Sequence, residues 1–319
     1  MKKFMAFLVA AIIATGFSFA NKNTAKADDD TTPVVTLGSS LTSSQKQGTI
    51  NTLTQSLNGA SYKTITVTGS DLVKYLNPSG ETFTNSSGVW SSAMIQKTSS
   101  GSGINVKILN YNGSNNITTI TANQYKNAAL TAGITDANIY ITSATPIDGS
   151  GALAGIYAAY AQSGNTLNQS QVNAAQSELN TLSSITQDNK NKDGYSDAQL
   201  NNAVAGAKAD MAKYGSNITN NQITTIVNNQ LEKNNLTNVI TNSQKQQIIN
   251  LLITIKKSGA LNSNSFKEQA QKLSSQIQEG AKSIFNKLNS QDTKNWIQKV
   301  IDAVVNFFKG LFGGAIILN

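Results

Sequence analysis

Ser43 and Lys46 have the spacing of a Ser–Lys acyl-transfer pair, an amine one helical turn from a hydroxyl. Lys97-Thr98-Ser99 would pass for a further motif of the same chemistry. The set is confined between Ser43 and Ser99, far too short a stretch for the fold that uses these motifs. Ser43 also follows Thr42, and a helix cap explains that site without catalysis. Asn189-x-Asn191-x-Asp193-Gly194-Tyr195 has the oxygen ligands and the glycine turn of a calcium loop. Its twelfth position is Leu200 where a bidentate Glu belongs, and Lys190 and Lys192 repel a cation, so the stretch reads as a polar turn.

Paired carboxylates cleave glycans without histidine. Glu81, Glu178, Glu232, Glu268 and Glu279 are the only glutamates, and the last four fall on expected helix surfaces. Asp71, Glu81, Asp136 and Asp148 fall in the first half, and no local spacing pairs any two of them. Asp71 and Asp148 precede short helices, where a negative charge stabilises the helix N-terminus. Gly149-Ser150-Gly151 opens a helix as a phosphate cradle does, but it lacks the Lys of a P-loop and the glycine spacing of a dinucleotide site. Close helix packing is its expected role.

The composition narrows the chemistry further. Cys, His and Arg are absent, and all 25 basic residues are Lys. Thiolate nucleophiles, disulfides and lipid-bearing cysteines are thereby excluded, as are imidazole bases and imidazole metal ligands. No cofactor or metal is expected. Without guanidinium groups, and with dispersed lysines, nucleic acid is a poor partner. Charged residues make up 13% of the chain, about half the usual share. Solubility falls to Asn, Gln, Ser and Thr, while 39% hydrophobic residues suffice for a core.

The elements that must position these residues are legible in a recurrent phrase. Leu41-Thr42-x-x-Gln45, Ile120-Thr121-x-x-Gln124, Leu167-Asn168-x-x-Gln171, Tyr195-Ser196-x-x-Gln199, Ile218-Thr219-x-x-Gln222 and Ile240-Thr241-x-x-Gln244 each join an apolar residue, a cap residue and a Gln three positions on. The cap oxygen accepts the third helical amide and the Gln reaches back, so six helix starts are predicted. Strand alternation occurs at Thr64–Thr68 and Ile104–Ile108, with Ala93–Gln96 expected to pair with the latter across Gly101-Ser102-Gly103. Ile139-Tyr140-Ile141 is a fourth strand. The order helix, strand, Gly, helix occurs twice, over residues 42–76 and again over 121–161. Beyond Leu167 the apolar periods are helical, as in Val172-Ala175-Leu179-Leu182.

Several of these phrases, in order, carry a family resemblance. They are Val35-Thr36-Leu37-Gly38 leading to Leu41-Thr42-x-x-Gln45, Val67-Thr68-Gly69-Ser70-Asp71-Leu72-x-x-Tyr75-Leu76, Trp90-Ser91-Ser92-Ala93-x-Ile95, Ile120-Thr121-Ala122-Asn123-Gln124-Tyr125 and Gly151-Ala152-Leu153-Ala154-Gly155-Ile156-Tyr157. Over residues 34–255 the chain resembles the secreted bacterial family called domain of unknown function 1002. The resemblance implies an extracytoplasmic, Gram-positive protein and carries over no catalytic residues.

The two ends speak to location. Lys2-Lys3, the apolar run Phe4–Ala20 and Ala25-Lys26-Ala27 read as a signal peptide cleaved after Ala27, with Ala20 as a second possible site. Cleavage after Ala27 leaves 21 Lys against 17 acids, so a net charge of +8 becomes +4. Near the other end, at about 100° per residue, Trp296, Ile297, Val300, Ile301, Val304, Val305, Phe307, Phe308, Leu311 and Phe312 fall on one side of a helix wheel. Lys299, Asp302 and Lys309 fall on the other, which suits an interfacial helix and argues against a span. From Lys245 onward ten Lys face four acids.

The expected architecture is an α+β N-terminal domain with a small sheet and internally duplicated helix–strand–helix units, then an all-α domain and a C-terminal amphipathic helix. The boundaries are 1–27 for the signal peptide, 28–33 for a polar leader, 34–163 for the α+β domain, 164–290 for the helical domain and 291–319 for the last helix and tail. The expected role is a secreted, envelope-associated binding or structural protein. Its contact residues are Trp296, Val300, Val304, Phe307, Phe308, Leu311 and Phe312 with Lys299 and Lys309. An anionic membrane surface, a teichoic-acid-like polymer, the helical domain itself or a second copy could cover that face. A carboxylate hydrolase of envelope glycans and a host-interaction factor are the alternatives.

Overall fold

A computed structural model of the chain describes residues 32–288. The signal peptide and the 291–319 helix with its contact residues lie outside the described residues.

The first half builds one mixed sheet. Its elements are β1 (Val34–Gly38), α1 (Ser43–Thr54), β2 (Lys63–Val67), α2 (Gly69–Tyr75), β3 (Ser91–Lys97), β4 (Ile104–Ile108), α3 (Ala122–Thr131), β5 (Ala137–Ser143) and α4 (Ser150–Gln162). The strand order is β2-β1-β3-β5-β4. β1 runs parallel to β2 and β4 parallel to β5, while β3 is antiparallel to both β1 and β5. The expected β3–β4 hairpin does not form: β5 lies between the two, pairing Ile95 with Ile139 on one side and Val106 with Ile139 on the other. Ile139 and Ile141 are buried, and an inner strand covers them where an edge position would not. β1 carries no alternation because all five of its residues are buried. The helix–strand–helix order does recur, as α1-β2-α2 and α3-β5-α4, but β2 is an edge strand and β5 an inner one.

Alternation assigns the sheet two faces. Val35, Leu37 and Met94 meet Leu53 and Leu57 of α1 and its 3-10 extension. The opposite face, with Val34, Ala93, Ile95, Val106, Ile139 and Ile141, meets α3 and α4, and α2 packs on α4. The second half follows on that side as α5 (Gln169–Asn189), α6 (Asp197–Ala212), α7 (Asn220–Lys233), α8 (Asn242–Lys257), α9 (Asn264–Gly280) and α10 (Lys282–Leu288). Among the described residues no strand follows Leu167. α6 is the central helix, buried at every residue except Asp197 and Asp210. Its alanines and Gly206 permit that crowding; a Cβ at Gly206 would lie 2.5 Å from Gln230 Oε1. The apolar core runs without a break from the sheet into α5–α9, past residues 163 and 164.

All six capping phrases begin helices. Thr42, Thr121, Thr219 and Thr241 close reciprocal boxes with their Gln at N3. Asn168 and Ser196 cap α5 and α6 with the side-chain oxygen alone. Such caps are worth about 1 kcal/mol each.

Candidate functional site

The residues with chemical spacing resolve into structural roles. Ser43 is the exposed first residue of α1, behind the Thr42 cap. In the calcium-like loop, Asn189 is buried and its Oδ1 accepts from Lys192 Nζ at 2.7 Å, so an ammonium sits where a metal would bind. No group of three or more acidic side chains that could hold a metal occurs among the described residues. Asp71 Oδ2 accepts from the Thr68 amide at 2.8 Å and caps α2. Asp148 does the same at α4 through the Ser150 amide, 3.2 Å away. The neighbouring Ala152 amide donates to Ser91 Oγ at 2.8 Å, so the Gly149-Ser150-Gly151 turn meets the protein's own groups instead of a phosphate. A Cβ on Gly151 would fall 2.8 Å from Val89, the close packing expected there. Asp136 ties the β3–β4 turn to α9, accepting from the Gly103 amide at 2.8 Å and Gln269 Nε2 at 2.9 Å. Glu81 accepts from Asn180 Nδ2 at 2.6 Å.

The densest polar constellation is one that sequence reasoning missed. Glu178 is not on a helix surface: it is wholly buried and paired with the wholly buried Lys208 at 2.8 Å. Lys208 Nζ also donates to the Asn127 carbonyl at 3.0 Å and to Thr131 Oγ1 at 3.3 Å, and Thr131 donates to Glu178. One turn along, Asn127 Nδ2 donates to Asn201 Oδ1 at 3.1 Å. A turn further, the Asp197 carboxylate accepts from Thr121 Oγ1 at 3.0 Å and from Asn201 Nδ2 at 2.9 Å, with Asn123 and Gln124 beyond 3 Å. Gln124 reaches α5 as well, bonding Thr186 and Ser183 at 3.1 and 3.0 Å.

The local sequence explains this seam. Gln124, Asn127 and Thr131 recur at helical spacing on α3, on a stripe facing away from the sheet. Glu178 and Ser183 on α5, and Asp197, Asn201 and Lys208 on α6, supply the complementary stripes. Burial pushes the Lys208 amine downward in pKa, and the Glu178 charge opposes that. Burial pushes Asp197 upward, and the hydroxyl and amide donors around it oppose that. The Tyr157 hydroxyl, under the same pair, is raised by burial and by the negative charge of Glu178. Each charge is matched by a partner or by donors. The arrangement joins α3, α5 and α6 through one buried set of polar contacts. A sequence signal existed in the Lys at position 208 amid the alanines of α6, since a lone cation in an apolar helix needs a buried partner.

The model of the family described as Protein of unknown function (DUF1002) matches residues 37–273, from the sheet through most of α9. A curated relative, "Uncharacterized protein YpuA" of Bacillus subtilis (strain 168), is 30% identical over 279 residues, which is 87% of this chain and 88% of the relative. No solved structure matches the chain. The match spans sheet, polar seam and helical half together, and on that ground the chain belongs to the DUF1002 family.

Proposed function

We propose that the protein is exported and acts at a Gram-positive-type cell envelope as a binding or structural component, held to an anionic membrane surface by residues 295–312. The observation that carries this reading is where large apolar side chains lie. Among the described residues, Tyr62 and Trp90 are the exposed ones, at 37% and 36%. No other large apolar side chain of the described residues is as exposed as these two. The sequence of residues 296–312 nevertheless gathers ten apolar side chains on one side, four of them aromatic. Lys299 and Lys309 lie opposite, and from Lys245 onward lysines outnumber acids ten to four. Apolar area with a cationic rim is what an anionic bilayer interface rewards. Among the described residues no helix is long and apolar enough to cross a membrane.

The test is co-sedimentation of the chain from Asp28 onward with vesicles of phosphatidylglycerol or of phosphatidylcholine, with and without residues 295–319. Binding confined to the anionic vesicles and to the longer chain, and weakened by salt, is expected. Equal binding of both chains rejects the assignment to this segment. Binding to wall teichoic acid but not to vesicles moves the partner to the polymer. N-terminal sequencing of protein recovered outside the cell should begin at Asp28 or Asn21.

A further inference from the structure

We infer that two copies of this chain pair through the edge strand β2, antiparallel about Ile65, so that their sheets become continuous. The two edges of the sheet differ. β4 is attended by α9: Lys272 donates to the Gly101 carbonyl at its entry, and a Cβ on Gly103 would lie 3.0 Å from Gln276 Nε2. Among the described residues β2 is bonded to β1 alone. The Lys63 amide donates to the Pro33 carbonyl and the Ser39 amide to the Val67 carbonyl, each at 2.9 Å. Residues 63, 65 and 67 thus turn their main chains toward β1, and Thr64 and Thr66 turn theirs outward.

Natural edges are blunted by charged side chains, proline, bulges, short strands or a covering element; β2 has five residues and one charge, Lys63, at its first position. Here both outward positions are threonine, a strand-favouring residue. Tyr62, Thr64 and Thr66 are all exposed and lie on the same side of the chain, and Tyr62 is one of the two exposed large apolar side chains of the described body.

The strand is complementary to itself. A two-fold axis at Ile65 sets Thr64 opposite Thr66 of the second copy, and Lys63 opposite Val67. No like charges meet, and each Thr–Thr pair exchanges two main-chain hydrogen bonds, a favourable cross-strand pairing. Tyr62 then falls opposite Thr68 and covers the rim. This inference is independent of membrane attachment.

The chain has no cysteine, so engineered thiols report only on the interface. The full-length gene carries Thr64→Cys or Thr66→Cys, and the two proteins are recovered from cells as they exist there, mixed and mildly oxidised. The opposed residues come within disulfide reach. The mixed 64–66 disulfide should therefore form several-fold faster than either homodisulfide or a Ser275→Cys control. Sedimentation velocity of the parent chain should show a concentration-dependent dimer. Thr66→Lys should remain monomeric with an unchanged Tm. A parent chain that stays monomeric at all concentrations overturns the inference. So does a Thr66→Lys dimer as tight as the parent's, or cross-linking with no preference for the mixed pair.

Discussion

α3 and α4 cover the same face of the sheet with opposite chemistry. α4 packs on β1 and β3 and is buried at Ala152, Leu153, Ala154, Ile156 and Tyr157, with Tyr157 against Tyr75 of α2, and Gly155 brings its backbone so near the sheet that a Cβ would lie 2.5 Å from Thr36 Oγ1. α3 gives its outer stripe, Gln124, Asn127 and Thr131, to α5 and α6. Apolar contact of the first kind is non-directional and scales with area. The second kind is directional, and each partner left alone in the interior is costly. The sheet half is thus held by how much it buries, and the orientation of the helical half by which groups meet. A buried ion pair is weak evidence for stability, since well-packed apolar replacements of both partners are often neutral or stabilising.

Substitutions can break that contrast, beginning with the ion pair. Lys208→Ala leaves Glu178 without its partner in the interior, and should cost about 3–5 kcal/mol in urea denaturation. Replacing both partners with methionine should be near neutral or stabilising; a double variant as damaged as the single one would mean the pair itself stabilises the fold. On the apolar side, Gly155→Val drives a branched side chain into Thr36 and Val67 and should cost about 1–3 kcal/mol by overpacking. If it is silent, α4 is less tightly seated than its contacts imply.

A comparison of caps sharpens the point. Thr219→Ala removes an exposed cap of α7 and should cost about 1 kcal/mol. Thr121→Ala removes the same cap from α3 together with a donor to the enclosed Asp197 carboxylate, and should cost more. Equal losses would show that the seam adds nothing to the cap. The smallest effect is in pH. Asp197 has its pKa raised above the ordinary 3.8 in the folded state, so the folded chain holds that proton more tightly than the unfolded one. Its contribution therefore falls as pH rises through the window just above 3.8, and is recovered in acid. Melting curves across that window should show the parent gaining on Asp197→Asn as pH drops; parallel curves would place Asp197 at its ordinary value.

Much of the helical framework is legible in the sequence. The cap at Thr241 needs only Gln244 three residues on, and an exchange of that range depends on nothing distant. Asp71 and Asp148 were readable as helix-end charges for the same reason. β1 was not, because a strand buried on both faces loses the alternation that marks one.

By itself the sequence determined where helices begin, that the first half holds strands, and that its chemistry proceeds without thiol, imidazole or guanidinium. Tertiary structure alone decided that β5 would separate β3 from β4, and that Glu178 would be buried against Lys208. Strand order joins segments tens of residues apart, with no local pattern to choose among partners. A glutamate on an amphipathic helix reads alike whether it faces water or an amine, and only the packing of three helices around that position settles which it meets.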